Sequence, residues 1–472
     1  MKRNISEESL ADSTEFVRKY TESARASGED PSYFVITLGC QQNEADSEKL
    51  RGELEKLGYS RADSENDASV ILINTCAVRE HAEMRALSFV GRLKKIKVER
   101  PGTVIGVCGC MTARAERIEQ IKKSYPYVDF TLSPGGIHLL SDAIRGAVDS
   151  KRKRSFFRPD DREGPLDACE AALEEMPQVR ESSHRAWVSI MRGCNNFCSY
   201  CIVPYTRGRE RSRSREAVIS EVGSLIERGY KEITLLGQNV NSYSGEGGFA
   251  GLIRDISGLE GDFWVRFMTS HPKDVPEELI DAIAASSKIE THFHLPLQSG
   301  SDRILSEMNR RYTVERYLSI VERLRERIPG IALTTDLIVG FPGETEEDFE
   351  QTLDIVRRVG FDMIYSFIYS QRSGTPAAAF ECQIPRAVQN ERFSRLLETQ
   401  DEISLAKNLE YVGRRLRVIV DGPSKNDPEM LTGRTRSGKN VHFKGSVSDL
   451  ARFVDVEITS AEPYALMAEK IK

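Results

Sequence analysis

Apolar positions along this chain fall into three successive regimes. From residue 33, short apolar runs alternate with helical stretches. Strands are expected at 33–38 (YFVITL), 70–75 (VILINT) and 103–108 (TVIGVC), with helices over 43–57, about 77–96 and 112–124. Strand, helix, strand with glycine at the turns predicts a parallel sheet covered on both faces. A second, longer alternation starts at Trp187. Its strands are expected at 187–191, 232–236, 264–268, 292–297, 331–339 and 363–369, separated by helices at 215–228, 251–259, 276–285, 312–327 and 345–359. Six βα units without a reversal predict a parallel barrel that lacks two strands. After a helix around 386–409 the period changes to two. Leu416, Val418 and Val420 alternate with Arg415, Arg417 and Ile419, and later Val454, Val456 and Ile458 alternate with Asp455, Glu457 and Thr459, as in a small antiparallel β-barrel.

The fold class expected is therefore α/β: an N-terminal parallel α/β domain (31–150), a partial (β/α)6 barrel (183–410) and a C-terminal small antiparallel β-barrel (411–472). Residues 1–30 are polar and acidic without apolar periodicity and read as a flexible leader; residues 151–182, with their KRKR head and Pro, Gly and charge blocks, read as a linker.

Composition narrows the class. The 472 residues are 39% hydrophobic and 29% charged, as in a globular protein with several domains. No apolar run reaches the roughly 20 residues that cross a bilayer, and the N-terminus lacks a secretory apolar segment. The expected location is the cytoplasm, where structural disulfides are rare. The nine cysteines then read first as ligands, reactive thiols or small core residues.

Their placement is not random. Cys40, Cys76 and Cys110 each end one strand of the first alternation, 36 and 34 residues apart. The carboxyl ends of parallel strands face a common crevice, so three successive loops bring three thiols toward one point. Cys108 falls inside its strand and reads as core, and Cys169, in the linker, as incidental. In the second alternation Cys194, Cys198 and Cys201 stand at C-x3-C-x2-C spacing directly after the first strand, with Tyr200 before the last. Thiols this dense serve a metal, a disulfide or redox chemistry. A closed zinc site takes four ligands, so three thiolates fit it poorly. They suit a 4Fe–4S cluster with one iron open to a small chelating ligand. Arginines follow at alternate positions, Arg207, Arg209, Arg211, Arg213 and Arg215. The net charge is −6, yet between Tyr411 and Gly445 eight basic residues face three acidic ones. A basic small barrel in an acidic chain suggests contact with a phosphate backbone.

The cysteine loop resembles the signature of radical S-adenosylmethionine (SAM) enzymes. With the three-thiol domain before it and a TRAM-like barrel after it, the chain resembles the methylthiotransferases over residues 33–470. Segments 235–243 (LLGQNVNSY), 294–302 (HLPLQSGSD), 335–345 (TDLIVGFPGET) and 422–435 (GPSKNDPEMLTGRT) are most similar to the branch acting on an adenosine of tRNA. The resemblance implies two 4Fe–4S clusters, one on Cys194, Cys198 and Cys201 and an auxiliary one on Cys40, Cys76 and Cys110, with SAM on the open iron of the first. It implies transfer of a methylthio group to carbon 2 of N6-isopentenyladenosine beside the anticodon, with a flavodoxin- or ferredoxin-type reductant, by a monomer. Tyr200, Gln298, Ser299, Gly300, Gly340 and Gly343 are the expected SAM contacts. Arg207, Arg209, Arg211, Arg415, Arg417, Arg434 and Arg436 are the expected RNA contacts; no catalytic residue beyond the cluster ligands is assigned. His271 and His294 read as satisfied barrel residues. Gln42, in CQQN, departs from the family's more frequent Met. Relatives acting on threonylcarbamoyl-adenosine or on a ribosomal-protein aspartate are the alternatives within the family. A non-catalytic zinc-containing RNA-binding protein is the alternative outside it.

Overall fold

A computed structural model describes residues 7–78, 80–149, 154–156, 166–424, 427 and 429–471. The chain divides into two compact units: Met1–Glu181 with Ile202–Arg209, and Ser182–Cys201 with Glu210–Lys472.

The first unit is built on a six-stranded, all-parallel sheet. Its strands are β1 (Ser32–Leu38), β2 (Ser60–Arg61), β3 (Val70–Thr75), β4 (Val104–Gly109), β5 (Phe130–Leu132) and β6 (Ser155–Phe156), in the order β2-β1-β3-β4-β5-β6. The unbroken apolar run of β3 is explained by burial on both faces. Val70 and Leu72 join one core with Val104 and Cys108, while Ile71 and Ile73 join another with Ile105 and Val107. The strands β2, β5 and β6 escaped the sequence reading because two or three residues are too short to show a period.

Two expectations for this unit need correction. Residues 1–6 lie outside the described residues, but the stretch 7–26 of the expected leader 1–30 is not free, because Glu7–Ala26 is a helix with Ser13, Val17 and Thr21 buried. These recur every four residues and so share one helix face, but two of the three are polar. The stripe is therefore invisible to an apolar-period test. Nor is 166–181 a linker: Leu166–Glu175 is helical, Leu173 and Met176 enter the core, and Lys49 donates to the Leu173 carbonyl at 2.5 Å. The chain there runs so close that a Cβ on Gly52 would stand 2.1 Å from the Pro177 oxygen. Lys151, Arg152 and Lys153 of the KRKR head, and the side chain of Cys169, lie outside the described residues.

The second unit contains the partial barrel. β7 (Arg185–Ser189), β10 (Glu232–Leu236) and β11 (Trp264–Phe267) form one parallel three-stranded sheet; β12 (His292–His294), β13 (Ala332–Val339) and β14 (Met363–Ile368) form another. A parallel bridge from Val265 to Ile289 leads from one to the other, and a single apolar core fills both. A short antiparallel pair, β8 (Met191–Arg192) with β9 (Arg211–Ser212), pinches the chain on either side of the cysteine loop. The terminal barrel is closed, in the order β15-β16-β17-β19-β18, from β15 (Arg415–Pro423), β16 (Met430–Thr435), β17 (Asn440–Lys444), β18 (Phe453–Glu462) and β19 (Ala465–Lys470). It departs from the expected pattern in one pairing, β17 with β19, which is parallel.

This terminal barrel is seated on the amino ends of the parallel strands. Trp264, first residue of β11, packs on Phe453 with ring centroids 4.6 Å apart. Arg434 bonds Glu232, first residue of β10, at 2.6 Å and Asp421 at 2.9 Å. Arg436 donates to the carbonyls of Ile289 and Ser286, and Lys439 pairs with Asp362 at 2.8 Å. Three of the eight basic residues behind the phosphate-binding expectation are thus consumed inside the unit.

Candidate cluster sites

Cys40 closes β1 and is the N-cap of the helix Gln41–Lys56, where helix-terminal N–H groups favour a thiolate. Cys76 follows β3, its amide bonded to the Leu38 carbonyl at 3.0 Å and its sulfur accepting from the Val78 amide at 3.2 Å. Cys110 opens a short 3-10 turn after β4. The three thiols sense one another. Hydrogen bonding to Cys76 draws the Cys40 thiol down to about 5, with help from the Arg207 charge and against the desolvating atoms crowded around it, although the residue as a whole is exposed. The same bond, with burial and the nearby Cys110 and Cys40 sulfurs, pushes Cys76 upward. Burial raises Cys110, against the pull of Arg207. Cys108 is fully buried in the core, as its place inside the strand predicts.

A buried amide network sets these loops in register. Asn43 donates to the Asn74 side chain at 3.2 Å and the Thr75 carbonyl at 3.3 Å. Asn74 donates back to the Asn43 carbonyl at 2.8 Å and to Ser47 at 2.9 Å. Gly109 has φ +100°, and a Cβ there would lie 2.3 Å from the Thr75 carbonyl oxygen. Only glycine lets the Cys110 turn come this close to the end of β3. Sequence reading missed Asn43 and Asn74, although both flank ligand cysteines in the motifs it quoted.

In the second unit, Cys194 and Cys198 are buried and Cys201 is partly exposed. Ser199 ties the loop to the segment after Glu307: its amide bonds the Met308 carbonyl at 3.0 Å and its hydroxyl the Glu307 carbonyl at 2.8 Å. Asn309, at φ +56°, donates to the Asn196 and Phe197 carbonyls. Buried Arg310 donates to the Cys198 sulfur at 3.5 Å while bonding the Pro296 carbonyl at 3.0 Å. A guanidinium on a cluster thiolate is the kind of outer contact that tunes an iron–sulfur centre. The sequence offered no signal for Asn309 or Arg310 beyond a polar NRRY stretch. Burial raises the Cys194 thiol, with Glu210 and Lys273 close enough to act on it.

Among the described residues no three Cys, His, Asp or Glu side chains close around a single metal ion.

The expected SAM contacts divide. Tyr200 packs beside Ile304, Met308, Phe341 and Tyr369, next to the cluster loop. Gln298, at φ +70°, is pinned by backbone bonds to Asp336 and Ile338, and Ser299 caps the Ser301 amide. Gly300 and Gly340 have a packing reason of their own. A Cβ on Gly300 would meet Thr352 Cα at 2.5 Å, and one on Gly340 would meet the Gln389 side chain at 2.5 Å, so both glycines accommodate neighbouring helices. Gly343 (φ +79°) alone faces open space. Unforeseen polar atoms lie at the carboxyl ends of β10 and β11. Gln238 Oε1, both amide atoms of Asn241, and Ser270 Oγ are buried without a partner among the described residues. The Val240 amide joins the two loops through the Thr269 carbonyl at 3.1 Å. Such atoms cost about 1–3 kcal/mol each if left unsatisfied, so each takes water or a ligand as its partner.

The arginine expectations divide as well. Arg207 is corrected: its buried guanidinium bonds Asp46 at 2.9 Å beside Cys110. Arg213 pairs with Glu221 and Arg215 with Asp255. Arg434 and Arg436 are corrected as contacts that seat the terminal barrel. Arg209 is exposed and Arg211 half-buried. Arg415 and Arg417 keep well-exposed side chains, paired with Glu457 and Asp262. Exposed pairs of this kind are worth little and yield readily to a phosphate. His271 and His294 are satisfied as expected, with His271 lowered to about 2 by burial and the Arg310 and Lys273 charges.

Comparison with known proteins accords with this geometry. Residues 188–356 match the radical SAM superfamily, 32–133 an uncharacterised family designated UPF0004, and 409–471 the TRAM domain. The chain is 46% identical over 472 residues to the tRNA-2-methylthio-N(6)-dimethylallyladenosine synthase of Thermoanaerobacter pseudethanolicus, covering 99% of this chain and 98% of that one. It belongs to that family. The synthase of the same name from Clostridium botulinum is 47% identical over 443 residues, covering 93% of this chain and 97% of the relative. The radical S-adenosylmethionine methyltransferase TsrM from Kitasatospora setae shares the fold with a TM-score of 0.54 at 15% identity, over 73% of this chain and 74% of TsrM. Membership in this radical SAM family implies SAM and 4Fe–4S clusters as cofactors. No helix among the described residues is long and apolar enough to cross a membrane.

Proposed function

We propose that this enzyme transfers a methylthio group to carbon 2 of N6-dimethylallyladenosine in tRNA, beside the anticodon. The observation that carries the reading is the convergence of Cys40, Cys76 and Cys110 at the ends of three parallel strands, in a chain that also holds the C-x3-C-x2-C loop. In this reading each triad ligates three irons of a 4Fe–4S cluster. When bound, the clusters and SAM supply the electron, the hydrogen-abstracting radical, the sulfur and the methyl group.

The chain's own residues do the rest. Asn43, Asn74 and Gly109 set the auxiliary thiols in register; Arg310 and Ser199 hold the radical-generating loop. Gln238, Asn241 and Ser270, with Tyr200, Gln298 and Ser299, line the polar ligand site. Exposed Arg209, Arg415 and Arg417, with half-buried Arg211, meet the RNA backbone. A flavodoxin- or ferredoxin-type reductant supplies electrons, and the enzyme works as a cytoplasmic monomer.

The test is mass spectrometry of bulk tRNA nucleosides after gene deletion. The methylthio-dimethylallyl nucleoside should vanish and its precursor accumulate. If it persists unchanged, the assignment fails. Loss of methylthiolation instead from threonylcarbamoyl-adenosine or from a ribosomal-protein aspartate would move the chain to a sister activity.

A further inference from the structure

The arginine run after the cysteine loop contains one member that does not face solvent. Arg207 ends the helix Val203–Arg207, and its side chain is only 4% exposed. It bonds Asp46 Oδ2 at 2.9 Å, and Asp46 is itself 2% exposed. The other Asp46 oxygen accepts from Gln42 Nε2 at 3.5 Å. Asp46 and Gln42 lie in the first two turns of the helix that Cys40 caps. On its other side the Val203–Arg207 helix packs against the turn that Cys110 opens, which brings the Arg207 charge to bear on Cys110 and Cys40. The segment is held there by Ile202, which packs on Ala77 and Cys110.

A buried ion pair is poor evidence for stability, because desolvating both charges offsets much of their attraction. This one stands where three thiolates concentrate negative charge. The planar fork of arginine can hold a carboxylate on one edge and aim N–H groups at sulfur with the other, which a lysine ammonium cannot do at once. Hydrogen bonds to sulfur and net local charge are among the levers that set iron–sulfur potentials.

We propose that Arg207, oriented by Asp46 and Gln42, is a positioning residue that makes the centre on Cys40, Cys76 and Cys110 easier to reduce. Its fixed positive charge, buried beside the Cys110 turn, favours the more negative state of that centre. Asp46 opposes the effect electrostatically while holding the fork in place. The inference rests on the reading of this triad as cluster ligands.

The test uses full-length protein with Cys194, Cys198 and Cys201 replaced by Ala, so that one cluster site remains, reconstituted anaerobically with iron and sulfide. The midpoint potential is followed by electron paramagnetic resonance in a redox titration. Arg207→Gln should shift the midpoint negative and Asp46→Asn should shift it positive. The double variant should fall between them, and Arg207→Lys should stay closer to the parent than Arg207→Gln does. A merely structural role predicts no such opposition of sign. Coincident midpoints, or shifts of Arg207→Gln and Asp46→Asn in one direction, overturn the proposal. Should Arg207→Gln fail to retain iron, the shift in Asp46→Asn decides alone, a midpoint at the parent value overturning it. If the parent binds no more iron than a control that also lacks Cys40, Cys76 and Cys110, the ligand reading itself fails.

Discussion

Replacing Arg434 by Met removes two charge-assisted hydrogen bonds, to Glu232 at 2.6 Å and Asp421 at 2.9 Å. Glu232 is 1% exposed and keeps Arg266 as its remaining cation, whereas Asp421 keeps His184 and Arg185. Each lost bond of this type is worth about 1.5–3 kcal/mol, and the remaining partners absorb part of that, so a loss of about 3 kcal/mol is expected. At a urea slope of about 2 kcal/mol/M, the midpoint for release of the terminal barrel falls by about 1.5 M. Trp264 reports the event, since its ring lies against Phe453 and is 5% exposed. The assay is its fluorescence against urea in a Trp187→Phe background, which leaves one of the two tryptophans. In the absence of denaturant, affinity for an anticodon stem-loop should stay within about twofold of the parent. If the urea midpoint does not move while that affinity drops tenfold and the salt slope falls by about one, Arg434 contacts RNA and the reasoning here is wrong.

Acid should loosen the same contact. Asp421 is pulled down to about 2, because bonds from His184 and Arg434 outweigh its burial. A depressed carboxylate contributes stability that is present above its unfolded value of 3.8 and lost as pH falls toward 2. The stability that Trp264 reports should therefore drop by about 2 kcal/mol between pH 5 and 2, or about 1 M in urea midpoint, a slope that Asp421→Asn should flatten. Gly109→Ala forces φ +100° and a Cβ 2.3 Å from a carbonyl oxygen. It should cost at least ~2 kcal/mol and lower the iron held at the Cys110 triad, measured by iron content in protein lacking the other three thiols. Cys198→Ala should abolish SAM cleavage, whereas Cys76→Ala should spare cleavage and stop sulfur insertion; chromatography of 5′-deoxyadenosine and of tRNA nucleosides separates the two.

Much of this architecture is carried by periodicity. Continuous apolar strands such as 70–75 announce burial on both faces, and alternating Val454, Val456 and Ile458 announce a one-sided barrel wall. Cysteine position relative to strand ends is equally local information, which is why both triads could be read in one dimension. Tertiary structure decided what each long charged side chain touches. Arg207, Arg209 and Arg211 are equivalent as a pattern, yet the first meets Asp46, a residue 161 positions away, and is buried there. Arg434 and Arg436 count as basic surface in sequence but end on Glu232 and on the Ile289 carbonyl. The helix Glu7–Ala26 was missed because two of the three residues in its buried stripe, Ser13 and Thr21 beside Val17, are polar, with partners such as the Leu57 carbonyl far along the chain. Hydrophobic burial leaves a period that a sequence displays; the pairing of a charge or a hydroxyl depends on which distant partner the fold brings within about 3 Å.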